Sequence, residues 1–138
     1  MATRSVTLYA PLLLSLTSLV TFNAFAIPVS QMKSGNYLAF YQHGLPKDMK
    51  LCNQTLNIGN TNNSPININI EYTPEKNMPP CSLSHTDLVC NANGLCAGEE
   101  SYEQIVVKFI HNNTYQWEDI TRGFGGELLL SKSQKPSK

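Results

Sequence analysis

The sequence predicts an all-β protein, a small antiparallel β-sandwich or barrel of about seven short strands stapled by two disulfides. Three observations carry that expectation. Apolar and polar residues alternate with period two in several short runs, the pattern of strands with one buried face. Clusters of Gly, Pro and Asn separate those runs, and these residues suit turns because they tolerate or impose unusual backbone angles. Four cysteines, Cys52, Cys81, Cys90 and Cys96, lie downstream of an export-type leader, where an even set reads as disulfides.

The leader opens the chain. Arg4 and the α-amino group supply positive charge, Leu12 to Leu14, Leu16, Leu19, Val20 and Phe22 supply an apolar stretch, and Ala24-Phe25-Ala26 is a small-x-small cleavage box. Residues 1–26 therefore read as a signal peptide cut after Ala26. The competing reading is a membrane anchor, since Val6 to Ala26 is almost long enough to span a bilayer. Pro11, Ser15, Thr17, Ser18, Thr21 and Asn23 interrupt that segment, and no Lys/Arg cluster follows it. The expected product is a single β-rich domain over 27–131 with a flexible basic tail over 132–138, secreted or periplasmic and without a membrane anchor after cleavage.

Within the domain, the first strand candidate is Tyr37 to Gln42. The next has Cys52, Gln54, Leu56 and Ile58 on one face, and the clearest has Ile66, Ile68, Ile70 and Tyr72 facing away from Asn67, Asn69 and Glu71. The loop 59–65, rich in Asn, joins these two as an antiparallel pair. The Pro-containing stretch Thr73 to Pro80 reads as a boundary between two halves of the domain. Thr86 to Cys90 is a short strand, followed by Asn93-Gly94 as the tight turn of a hairpin. Glu99 to Gln104 could hold a short turn of helix. Ile105 to Ile110 and Thr114 to Ile120 form a second pair around His111-Asn112-Asn113, with Ile105, Val107 and Phe109 inward. Gly123-Phe124-Gly125-Gly126 permits a sharp bend before the last strand, Glu127 to Leu130. The immunoglobulin pattern fails, because Trp117 follows the last cysteine instead of lying between paired ones.

Three disulfide pairings are open. A tight turn favours Cys90–Cys96, which leaves Cys52–Cys81 to tie the two halves. For a domain this small, two such links are a large share of the net stability.

Charge narrows the function. Among 138 residues, ten Lys plus Arg balance ten Asp plus Glu, and only 14% are charged. That balance excludes a basic nucleic-acid footprint and an acidic solvating tail. At 41% hydrophobic and 9% aromatic, the chain has the apolar content of a folded domain.

No motif carries recognisable chemistry. Val89 to Glu100 partly fits a calcium loop through Asn91, Asn93, Gly94 and Glu100, but Val89 stands where the first carboxylate belongs. Cys81, His85, Cys90 and Cys96 are zinc-type donors without a Cys-x-x-Cys pair, and oxidation would consume the thiols. Ser84, His85 and Asp87 are close in sequence, whereas a hydrolytic triad is set by three-dimensional geometry. His43 and His111 read as solvated loop residues. Glu99, Glu100 and Glu103 read as a solvated acidic face. Gly123 to Gly126 lacks the Lys-Ser/Thr of a phosphate loop. Asn53, Asn62 and Asn112 head Asn-x-Ser/Thr sequons.

Tyr115 and Trp117 share one face of a strand. They are candidate partner contacts, able to stack on a sugar or anchor a protein; the alternative is that they fill the core beside Ile105, Val107 and Phe109. The expected function is that of an exported soluble β-domain without a cofactor or a metal. It would bind a protein or glycan partner outside the cytoplasm through loops at the sheet ends. The alternative is a small secreted hydrolase whose site assembles from scattered His, Asp and Ser residues.

Overall fold

The computed structural model describes residues 26–62, 64–74 and 79–132. Residues 1–25 of the expected leader, 133–138 of the expected tail and the middle of the Thr73 to Pro80 stretch lie outside them.

Eight strands follow one another around a closed antiparallel barrel. They are β1 Gly35–His43, β2 Asn53–Ile58, β3 Ile66–Thr73, β4 His85–Cys90, β5 Leu95–Glu100, β6 Glu103–His111, β7 Thr114–Asp119 and β8 Phe124–Leu130. Each pairs with the next, and β8 closes on β1 with Leu38 opposite Leu129 and Gln42 opposite Gly126. Of the two architectures the alternation allowed, the chain adopts the barrel. Closure gives every strand one face inside and one toward solvent, which is why most of them alternate.

An eight-stranded barrel is just wide enough for its inward side chains to meet. Here they do. Tyr37, Leu56, Ile70, Leu88, Ile105, Val107, Phe109, Tyr115, Trp117 and Leu128 are all within 1% of complete burial. Tyr37 and Tyr115 pack with ring centroids 4.8 Å apart and planes tilted by 50°, while Phe109 meets Tyr115 and Tyr72 meets Trp117 edge to face at 6.0 Å. Most polar tips inside find partners, Gln54 Nε2 being a buried exception. Tyr115 donates to Gln54 Oε1 at 2.9 Å, Trp117 Nε1 donates to the Tyr72 hydroxyl at 3.2 Å, and that hydroxyl also meets Thr86 Oγ1 at 2.9 Å. Gly126 faces Trp117 across β7–β8, where a Cβ would strike the backbone oxygen of Tyr41, so the closing strand needs glycine there.

Both ends are plugged. At one, residues 27–32 run under the barrel through a single 3₁₀ turn, Val29–Gln31, and bury Val29 and Met32. The Ile27 N–H donates to Phe109 O at 2.8 Å, and Gly94, at φ 87°, has no room for a Cβ beside Ile27 O. At the other end Leu51 and Leu83 close the core, and Cys52–Cys81 ties the start of β2 to the segment before β4. The second disulfide, Cys90–Cys96, joins facing residues of the β4–β5 hairpin.

Several expectations change. The strands number eight, because Leu95–Glu100 is a strand that pairs with β6 from Leu95–Lys108 to Glu100–Glu103. Cys96, Ala97 and Gly98 have little strand propensity of their own, so the neighbouring ladder sets their conformation. Glu99 to Gln104 is not helical: it is the tip of the β5–β6 hairpin, turning at Ser101 and Tyr102. Gly125 and Gly126 belong to β8 and pair on both sides, and the bend before them centres on Gly123 at φ 82°. The stretch from Thr73 to Pro80 divides no halves, since β3 and β4 on either side of it are paired neighbours.

Candidate functional site

The run Leu38-Ala39-Phe40-Tyr41 is apolar without alternation, which a half-buried strand cannot place on one face. The barrel resolves the conflict with a β-bulge. The β1–β8 register slips between Ala39 and Tyr41, so Phe40 is extra on β1 and the phase of the strand reverses. Tyr37 and Ala39 point in before the bulge and Gln42 after it, leaving Phe40 and Tyr41 both outward. Leu38, Phe40 and Tyr41 are 46%, 57% and 52% exposed.

The same stretch of β1 has lost its other neighbour. β2 pairs with β1 only from Gly35 to Tyr37, and beyond that the 44–52 segment swings away. Side chains take over from the ladder. Asn53 Oδ1 accepts the Ala39 N–H at 3.0 Å; Gln42 donates to Met49 O at 2.6 Å and accepts the Leu51 N–H at 2.9 Å. These bonds hold the loop as a fixed wall. Between the wall and β1 lies a cavity of about 520 Å³ bordered by Leu38, Phe40, Tyr41, Met49, Lys47 and Lys50. That volume is in the range of ligand-sized clefts, and its lining combines an apolar floor with a basic lip.

A second hollow, about 550 Å³, lies on the outer face of β2–β4 beside Asn57, Asn67, Asn69, Asp87 and Val89. Its polar groups already serve one another. Asn57 Nδ2 reaches Asn69 Oδ1 at 3.4 Å, and Asn69 Nδ2 donates to Asp87 Oδ1 at 2.7 Å.

The barrel interior offers little reactive chemistry. Burial pushes the Tyr37 and Tyr72 hydroxyls up to about 12, and pushes Tyr115 well above 10, so all three are neutral donors at physiological pH. Asp119, 1% exposed at the end of β7, accepts the Arg122 N–H at 2.9 Å. Burial raises its carboxyl above the usual range, and Arg122 pulls it partly back. Arg122 in turn donates to Glu103 at 2.9 Å and to Ser82 Oγ at 3.2 Å, a cross-link between three turns at one end of the barrel.

The residues singled out from the sequence scatter. Tyr115 and Trp117 are completely buried, so they fill the core and present no surface to a partner, a correction to their reading as contacts. The reason is the phase of β7, which pairs them with the inward Phe109 and Val107. All four cysteines are consumed by disulfides, which removes the thiolates a zinc site would use. Asn91 Oδ1 accepts the N–H groups of Asn93 and Leu95, holding the hairpin turn, while Glu100 sits at the far end of β5. The length of β5, roughly 17 Å from Leu95 beside the turn to Glu100, keeps that carboxylate away from the Asn91 turn. Ser84 Oγ and His85 Nδ1 are 3.2 Å apart, but Asp87 is engaged by Asn69 and His111 lies at the opposite end of the barrel. His43 faces Glu118 at 2.8 Å on the outer surface. Among the described residues no three His, Cys, Asp or Glu converge as a metal site.

Sequence reasoning missed Phe40 and Tyr41; the one available signal was the run of four apolar residues, Leu38 to Tyr41, which an alternating strand cannot place on one face. No family model, curated protein or solved structure matches this chain.

Proposed function

We propose that this chain is an exported soluble barrel that acts by binding a protein partner outside the cytoplasm, with the β1 cleft as its principal contact. One observation carries the reading: two adjacent aromatics, Phe40 and Tyr41, are turned outward by a bulge over a cavity with a fixed wall. Exposed aromatics on a rigid element lose little conformational entropy on contact and are typical anchors of protein interfaces. Lys47 and Lys50 on the lip favour an apolar segment that carries a carboxylate. The filled interior supports the same reading, since it directs recognition to the outer surface.

Two disulfides suit an oxidising compartment, and among the described residues no helix is long and apolar enough to cross a membrane. The leader of residues 1–26 supplies the route out.

Site-specific photo-crosslinking tests the proposal. Phe40 is replaced by photoreactive benzoylphenylalanine in the exported protein, with the exposed Thr61 at the opposite end of the barrel as control. A discrete adduct from position 40, formed outside the cytoplasm and weakened by Leu38→Ser/Tyr41→Ser, is expected. Equal, diffuse labelling from positions 40 and 61 would overturn it.

A further inference from the structure

The β5–β6 hairpin breaks three local rules at once. Its two-residue turn places Ser101 at φ 52° and Tyr102 at φ 71°, both in the left-handed region. Asn-Gly is the favoured pair there, and a bulky aromatic is an outlier. Glu100 stands directly opposite Glu103, a like-charge pair in a facing position. Tyr102 is 96% exposed, far beyond any other large apolar side chain described.

The tip is nevertheless well held. Thr121 Oγ1 accepts the Gln104 N–H at 2.9 Å and approaches Tyr102 O at 3.5 Å. The Ile120 N–H donates to Gln104 O at 2.9 Å, and Arg122 pairs with Glu103. The β7–β8 turn therefore buttresses a strained, aromatic, acidic tip that glycine would relax. Local rules broken together in a buttressed, exposed place point to function over stability.

We infer that this tip is a second contact, a finger whose Tyr102 ring enters a pocket on a partner protein with a cationic rim. The charge on the hairpin fixes that chemistry. Arg122 offsets Glu103, whereas Glu99 and Glu100 have no ion pair among the described residues. Ile120, 54% exposed on the adjoining turn, extends the apolar contact. On a held backbone a tyrosine has only two side-chain torsions to order on insertion, and the carboxylates steer it toward a basic cleft. The inference goes beyond the β1 cleft and stands on different residues, although both belong to the end of the barrel where β1 and β5 finish.

The experiment is a biolayer binding assay of the exported, oxidised protein against a defined panel of purified exported proteins, half strongly basic and half strongly acidic. It is run at low and moderate salt with wild type, Tyr102→Gly, Glu99→Gln/Glu100→Gln and Phe40→Ser. The finger predicts saturable binding confined to basic proteins and weakened by salt. Tyr102→Gly should bind at least tenfold more weakly while melting no lower than wild type, because glycine accepts the left-handed conformation. The Gln pair should slow association more than it speeds dissociation. Absence of binding to any basic protein, retention of full affinity by Tyr102→Gly, or a lower melting temperature for it would overturn the inference. Binding lost in Phe40→Ser but kept in Tyr102→Gly would support the cleft and sink the finger; the reverse would do the opposite.

Discussion

Ile68 and Asn67 are neighbours in the chain and face opposite sides of the barrel wall, Ile68 at 2% exposure and Asn67 exposed. Ile68→Ala should cost about 2–5 kcal/mol, the usual range for emptying a packed aliphatic site. Asn67→Ser should change stability by less than about 0.5 kcal/mol, as at an exposed position. Denaturant melts of the oxidised protein measure both, and an equally mild pair would remove Ile68 from the core. A second residue-scale consequence comes from the buried phenols. In the unfolded chain a tyrosine titrates near 10, whereas burial holds Tyr37 and Tyr72 at about 12 and Tyr115 well above 10. The folded state thus keeps protons that the unfolded state releases, so stability falls as pH rises from about 10 toward 12. Melting temperature against pH should turn downward in that window, with the phenolate absorbance of these tyrosines appearing only on unfolding. Full phenolate absorbance with the fold intact at about pH 10.5 would contradict the burial.

At the scale of elements, the strands with bulky alternating side chains were legible and the one with small residues was not. Ile66–Thr73 pairs with β2 as the alternation required, Leu56 opposite Ile70 and Ile58 opposite Ile68. The β6–β7 pair turns at Asn112-Asn113, as its composition indicated. β5 escaped notice because Cys96-Ala97-Gly98 offers neither branching nor bulk, and its carboxylates resembled a solvated helical turn. The candidate site was less legible. Tyr115 and Trp117 drew attention as aromatics, yet the inward phase of β7 decides their fate; Phe40 and Tyr41 became exposed through a bulge that only the closing strand reveals. The disulfide pairing offers a test at this scale. Cys52–Cys81 closes a separation of 29 residues and Cys90–Cys96 one of 6. Loop-closure entropy gives about 3.6 kcal/mol for the longer link and about 2.4 kcal/mol for the shorter. Cys52→Ala/Cys81→Ala should therefore melt below Cys90→Ala/Cys96→Ala in thermal scans. The opposite order would show that the hairpin link holds more than its own turn.

At the scale of the whole molecule, closure connects the fold to its use. With β8 paired to β1, the interior is sealed and filled by Trp117, Tyr37, Tyr115 and Phe109, so the proposed recognition is confined to the outer surface and the rim. The bulge that completes closure is also what turns Phe40 and Tyr41 outward, so the cleft exists because the barrel shuts. Backbone nuclear Overhauser contacts between β1 and β8 in the oxidised protein test that claim most directly. Contacts linking Ala39 with Leu128 and Gln42 with Gly126, with an irregularity at Phe40, are the expected result. Regular β1–β2 pairing through Gln42 with no β1–β8 contacts would mean an open sandwich, and both the sealed core and the cleft would be lost with it.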